Sequence, residues 1–211
     1  MKNTINSRMF EWFYESCVIA ELKRRNYPKS VIGTFKREYK AISNRAKEIG
    51  KSRLLSAYEM GICFLALNYA TGKQPEENYE IFKAGLCASI LFSKAMGDAD
   101  SYLDEKKMPG RIKWSEESHR KLYENDWVVD ILPGNEEYDL GYDYHECGIV
   151  KLCQDEGHPE LAKYCCRMDY VLADIMNMNL VRTGTIAEGA RLCDFRYSRK
   201  KGKASESGDR K

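Results

Sequence analysis

The sequence has little of what marks several common protein classes. It contains 3 His and 5 Pro, and none of its 8 Cys stands in a Cys-x-x-Cys pair, which disfavours a zinc finger. No stretch approaches the ~18 apolar residues that a membrane span requires. The first ten residues also lack the apolar core of a secretion signal. We therefore expect a cytoplasmic protein with reduced thiols and no membrane partner.

Charge gives little support for a nucleic-acid partner. The net charge of +2 includes +4 from residues 198–211, where six Lys or Arg accompany two acids, and we expect this basic tail to be disordered. Residues 21–53 hold eleven Lys or Arg and three Glu, a net charge of +8. Because no helix-turn-helix spacing accompanies them, solvated faces of two amphipathic helices are the preferred explanation, and no nucleic acid is expected as a partner.

Hydrophobic periodicity separates a helical part from a mixed part. Apolar residues spaced three and four apart predict four helices, at residues 9–22, 31–49, 54–69 and 79–96. Residues 98–114 are polar and contain helix breakers, so they predict a connector, and a short helix is expected from Ser115. Further along, the sequence predicts helices at 144–156 and from Pro159, and strands at 127–132, 138–142, 178–183 and 190–197.

These elements predict an α+β fold, in which an N-terminal helical half packs on a small, mostly antiparallel sheet. We expect one domain over residues 1–197, made of a helical part, 1–97, and a mixed part, 115–197.

The last part of this domain carries a dense group of motifs. Residues 182–197 are Arg-Thr-Gly-Thr-Ile-Ala-Glu-Gly-Ala-Arg-Leu-Cys-Asp-Phe-Arg-Tyr, and upstream stand Cys147 and the segment Cys166-Arg-Met-Asp169. Over residues 127–197 this pattern resembles the L-2-amino-thiazoline-4-carboxylic acid hydrolase family. The resemblance implies a hydrolase that opens a small cyclic amidine or amide ring at a carbon–nitrogen or carbon–sulfur bond and releases an N-carbamoyl amino acid. Such a reaction needs a nucleophile or activated water, a proton donor and a cation for the substrate carboxylate.

The motif cysteines are the candidate reactive thiols. Cys193 is the first choice, because Arg191 and Arg196 flank it and positive charge favours the thiolate. Cys147 and Cys166 are further candidates. The alternative for each of the three is a small, buried core residue.

Two aspartates are the candidate general acid and base, Asp169 and Asp194. The alternatives are a helix-terminus cap for Asp169 and a solvent-facing strand residue for Asp194. Because neighbours on a strand face opposite ways, Cys193 and Asp194 can both act only at a strand end or bulge.

Other motif residues are candidates for binding or proton transfer. Arg182 and Arg196 are candidate carboxylate clamps, or else members of cross-strand ion pairs. Thr183 and Thr185 would add hydroxyl donors, or merely favour strand geometry. His145 is a lower-ranked proton shuttle, with a solvated residue at a helix start as the alternative.

The same residues bear on the cofactor and the partners. Three cysteines with Asp169 or Asp194 could bind zinc or another divalent metal, although their spacing is long for a metal site. The expected partner is a small-molecule carboxylate substrate, and a homo-oligomer is compatible with the sequence. The alternative function is a non-enzymatic small-molecule or thiol-sensing domain of the vinyl-reductase-like fold.

Overall fold

The computed structural model describes residues 5–200, with side chains from residue 7 onward. Helices and strands follow one another in the order α1 Ile5–Arg24, α2 Lys29–Arg45, α3 Leu55–Thr71, α4 Pro75–Cys87, α5 Ile90–Met96, α6 Ala99–Tyr102, α7 Met108–Ser118, β1 Val128–Pro133, β2 Leu140–Glu146, α8 Gly148–Asp155, α9 Ala162–Ile175, β3 Met178–Val181 and β4 Cys193–Arg199. Single 3-10 turns occupy Glu105–Lys107, Pro159–Leu161 and Ile186–Glu188. Among the helices in this part of the chain, none is both long and apolar enough to cross a membrane.

Helix α3 forms the centre of the helical half. Its residues 58–67 are all buried, because a nearly continuous apolar run leaves no polar face to turn toward water. Helices α1, α2, α4, α8 and α9 pack around it. Gly72, with a φ of +60°, ends the helix in the left-handed conformation that glycine adopts without strain.

The four strands form one antiparallel sheet in the order β1-β2-β4-β3. Along β4, Cys193, Phe195 and Tyr197 are buried, whereas Asp194 and Arg196 between them lie on the other face. The buried face packs against residues of α7 and α9 and forms a second core beside the helical one. The predicted α+β class, with a helical N-terminal half on a small antiparallel sheet, is confirmed.

Two predictions for the helical half need correction. The helix predicted at 79–96 is divided into α4 and α5, because the Ser89 hydroxyl accepts a hydrogen bond from the Phe92 N–H (3.2 Å) and starts a new helix. Residues 98–114 are not a plain connector, since they hold α6 and most of α7. Pro109 stands in the first turn of α7, where its missing N–H costs nothing.

The mixed part also differs from prediction at its boundaries. Strand β2 continues to Glu146, so His145 lies on a strand, and Cys147 immediately precedes α8 as its N-cap residue. Strand β4 continues to Arg199 by pairing with β3, so the expected tail cannot begin at residue 198. The rest of that tail, residues 201–211, lies outside the described residues.

Candidate active site

A cavity of about 320 Å³ lies between helices α3 and α9 and the buried face of β2 and β4. Four thiols and one carboxylate stand in its wall, and we call it the thiol cavity: Cys147, Cys165, Cys166, Cys193 and Asp169. Helix α9 supplies the carboxylate and two of the thiols, and β4 supplies Cys193. The fold therefore brings together motif residues that are far apart in the sequence.

Asp169 is a partly buried carboxylate held by one arginine. Arg182 Nη1 donates to Asp169 Oδ2 (2.7 Å), and its Nη2 donates to the Cys166 carbonyl oxygen (2.9 Å). The Arg182 guanidinium lies between the rings of Tyr170 and Phe195, 4.8 Å from each ring centroid. Burial raises the pKa of Asp169 to about 6 even though Arg182 acts to lower it. The carboxyl group can therefore accept and return a proton near neutral pH.

Cys193 is the buried first residue of β4. Its sulfur accepts a hydrogen bond from the Ile186 N–H (3.1 Å). Burial raises the pKa of the Cys193 thiol, while the Ile186 N–H and the Arg182 guanidinium lower it. The nearby cation that favours the thiolate is thus Arg182, not Arg191 or Arg196 as the sequence suggested.

Cys147, at the start of α8, and Cys166, within α9, both line the thiol cavity. Cys147 is the N-cap residue of α8, and burial raises its pKa to about 12 against the lowering effect of the Val150 and Ile149 N–H groups. Burial raises the pKa of Cys166 as well, and Asp169 adds to this effect. In the resting protein these thiols are therefore protonated at neutral pH.

This arrangement can be compared with known proteins. A search against models of protein families matches residues 53–197 to the family described as L-2-amino-thiazoline-4-carboxylic acid hydrolase. The match spans more than half of the chain and includes Asp169 and the four thiols of the cavity. The chain belongs to this family. A search of the curated proteins and a search of the solved structures each find no match.

In this member of the hydrolase family, Asp194 lies on the opposite face of β4 from the thiol cavity. Its carboxylate accepts hydrogen bonds from the Thr183 N–H (2.9 Å), the Thr183 hydroxyl (2.7 Å) and the Gly184 N–H (3.1 Å). The Thr185 hydroxyl instead donates to Glu188 (2.7 Å). Asp194, Thr183 and Thr185 therefore stabilise the loop between β3 and β4 through these hydrogen bonds, and they do not line the cavity.

Arg196 and His145 also have carboxylate partners away from the thiol cavity. Arg196 Nη1 donates to Asp143 Oδ1 (2.7 Å), as the cross-strand alternative predicted. His145 Nε2 lies 2.8 Å from Asp130 Oδ2. Neither side chain belongs to the wall of the cavity.

Sequence reasoning missed the aromatic part of the wall. Tyr102, Tyr144, Phe195 and Tyr197 line the cavity, and burial raises the pKa of each of these three tyrosines well above its usual range. Alternation along residues 193–197 could have indicated Phe195 and Tyr197, because they share a face with Cys193. Arg53, at the other end of the matched region, also lines the cavity and was not singled out.

The candidate metal ligands do not form a metal site. Within residues 5–200, no group of three or more His, Cys, Asp or Glu side chains is arranged to hold a metal ion. Asp169 interacts electrostatically with both Cys166 and Cys193, but Arg182 is already bound to its carboxylate. The donor set therefore does not fit zinc or another divalent ion.

Proposed function

We propose that the protein hydrolyses a small cyclic amidine, such as a 2-amino-thiazoline-4-carboxylate, and releases an N-carbamoyl amino acid. The family supports hydrolysis, and the thiol cavity supports the finer assignment. What supports the proposal most is a partly buried carboxyl group with a pKa of about 6 in the same cavity wall as several thiols. Such a site can transfer a proton to and from a thiol.

In the proposed first step, the Cys193 sulfur attacks the amidine carbon between the ring nitrogen and the ring sulfur. Asp169 takes the thiol proton as the new C–S bond forms, since burial keeps Cys193 protonated before reaction. The bond between that carbon and the ring sulfur then breaks, and the ring sulfur leaves with the proton held by Asp169. The substrate is now open and joined to Cys193 through a thioether-like bond to the amidine carbon.

In the second step, water attacks the same carbon and Asp169 accepts one of its protons. The bond to Cys193 breaks, and Asp169 returns its proton to the sulfur. The second water proton passes to the amidine nitrogen, and the carbon becomes the carbonyl of the N-carbamoyl group. Each turnover thus consumes one water and restores both groups. In this scheme Arg182 is a positioning residue, because it holds Asp169 and keeps its pKa from rising further.

The arginines suggested by the sequence are less suited to bind the substrate carboxylate. Arg182 is engaged by Asp169 and Arg196 by Asp143. Arg53 lines the cavity and forms no ion pair with any residue in the described part of the chain. We therefore assign the carboxylate of the substrate to Arg53, whose guanidinium can bind it through two parallel hydrogen bonds.

The test is product formation by the full chain. We expect incubation with 2-amino-thiazoline-4-carboxylate to give N-carbamoyl-cysteine, detected by mass spectrometry. Cys193→Ser and Asp169→Asn should each lower kcat by at least about a hundredfold, as expected for loss of a nucleophile or of a general acid–base group. Cys87→Ser, at an exposed thiol, and Asp174→Asn, on the same helix as Asp169, are the matched controls. Full activity in both site variants would overturn the assignment.

A sensing domain is the second candidate function, and one observation favours it. Burial raises the pKa of all four thiols of the cavity, which suits a pocket that binds small molecules without reacting. Saturable binding of the thiazoline without any product would support this alternative over the hydrolase.

A further inference from the structure

A second opening adjoins the thiol cavity and bears a strong positive charge. This cleft, of about 550 Å³, shares five wall residues with the cavity: Arg53, Leu54, Met96, Tyr102 and Tyr144. Four cations line it, and we call it the cationic cleft: Arg53, Lys106, Lys107 and Arg111. Because Arg53, Lys106 and Lys107 are exposed, the cleft lies at the surface, next to the buried reaction site.

Among the side chains that the structure describes, none that lines the cationic cleft is acidic. Asp104 and Glu105 are adjacent to these lysines in the sequence, but the Asp104 carboxylate accepts a hydrogen bond from the Lys106 backbone N–H (2.9 Å). Glu105 lines a different depression, beside Met108 and Pro109. Within residues 5–200, none of the four cations forms an ion pair with a carboxylate. The fold thus separates two acids from the two lysines that directly follow them in the sequence.

Arg111 is the most informative of the four cations because its side chain is buried. The residue is only 6% exposed, yet its guanidinium donates to backbone carbonyl oxygens, those of Asp104 (3.1 Å) and Tyr102, and to no carboxylate. A buried charge without a countercharge is costly, and an anion in the adjoining cleft would offset that cost. The Lys107 ammonium group likewise donates to two oxygens of Ser101, the backbone carbonyl and the hydroxyl.

We propose that the cationic cleft binds an anionic group of the substrate, a carboxylate or a phosphate, that extends beyond the ring held in the thiol cavity. The inference deepens the proposed function and rests on it for the identity of the ring. Arg53 stands in the shared wall, where its guanidinium can contact the ring carboxylate. Lys106, Lys107 and Arg111 then face the anionic extension, so the preferred substrate carries more negative charge than a simple thiazoline carboxylate.

The direct test is binding of two small anions, inorganic phosphate and citrate, to the full chain by isothermal titration calorimetry. We expect the double variant Lys106→Gln/Lys107→Gln to bind the anion at least about tenfold more weakly, because charge-assisted hydrogen bonds are lost. Lys113→Gln is the matched control. It removes an exposed lysine of α7 that lies outside the cleft and should leave binding unchanged.

The two probes also separate the sources of negative charge. Binding of phosphate alone indicates a phosphorylated substrate, whereas binding of citrate alone indicates a polycarboxylate. Either result supports the proposed anion site in the cationic cleft. Equal affinity in the double variant and in wild type, or no binding of either anion to wild type, would overturn the inference.

This test is independent of turnover. Asp169→Asn should bind the anions as wild type does, because Asp169 does not line the cationic cleft. If anions bind in the cleft but no thiazoline is hydrolysed, the result supports the anion site and contradicts the proposed reaction.

Discussion

The chemistry proposed for Asp169 depends on two opposing effects on one carboxyl group. Burial disfavours the charged form and raises its pKa, whereas Arg182 favours the charged form and lowers it. With the resulting pKa of about 6, the carboxyl group is neither always charged nor always protonated near neutral pH. Arg182 therefore determines the pH at which Asp169 becomes available as a base.

Replacing Arg182 should displace the pH dependence of activity. A base must be deprotonated to act, so kcat/KM should fall as pH decreases through the Asp169 pKa of about 6. Arg182→Gln removes the cation that lowers this pKa, and the acidic limb of the pH profile should move to higher pH. Arg196→Gln, which loses the Asp143 pair and no contact with Asp169, should leave that limb in place. An unmoved limb in a folded Arg182→Gln protein would contradict the role given to this arginine.

Single residues near the motifs were predictable, and distant ones were not. Alternation along β4 placed Cys193 and Asp194 on opposite faces, which the structure shows to be correct. Arg53 and Tyr102 reach the cavity from the helical half, and no local pattern links them to a strand more than ninety positions away. Only tertiary packing brings such residues to the site.

Among the helices, the packing of α1, α2 and α3 encloses a carboxyl group. Glu59 of α3 is fully buried and accepts hydrogen bonds from the Ser7 hydroxyl (2.8 Å) and the Tyr39 hydroxyl (3.3 Å). Burial raises the pKa of Glu59 to about 7, and the nearby Glu11 adds to this effect. The three helices thus pack best when Glu59 is protonated.

This buried acid should make stability depend on pH. The pKa is higher in the folded protein, about 7, than its ordinary value of 4.5, so folding is favoured most below that ordinary value. The free energy of unfolding should decrease as pH rises from 4.5 to about 7 and then level off, with a loss of about 3 kcal/mol from this group.

Urea denaturation across this range would test the prediction. Glu59→Gln cannot ionise and should remove this part of the pH dependence, whereas Glu48→Gln, at an exposed position, should retain it. The same slope in Glu59→Gln and in wild type would show that Glu59 is not responsible.

Element boundaries were harder to predict than element types, for identifiable reasons. Ala46 and Ile49 continue the apolar spacing of α2 and are buried, but they follow the end of the helix at Arg45. Apolar spacing indicates which side chains are buried, and it can continue past the last helical residue. Similarly, Pro109 is one of the helix breakers that predict a connector at residues 98–114, yet it lies in the first turn of α7, since proline is compatible with the first helical turn.

At the scale of the whole molecule, the thiol cavity lies where the helical core and the sheet core meet. Four residues that line it pack against both cores: Leu54, Met96, Tyr144 and Leu172. The wall therefore exists only when the two halves are in contact. This arrangement supports the proposal that the two parts of residues 1–197 fold as a single domain.

Unfolding should consequently occur in one transition, and two tryptophans can report on it separately. Trp127 belongs to the helical core and Trp114 to the sheet core, whereas Trp12 is 60% exposed and contributes little change. In Trp127→Phe the fluorescence change in urea reports Trp114, and in Trp114→Phe it reports Trp127. Within each variant the fluorescence midpoint should coincide with that of far-UV circular dichroism, because neither core keeps its packing without the other. Separate midpoints would mean that the halves unfold independently, and the cavity between them would then be an interface between two domains.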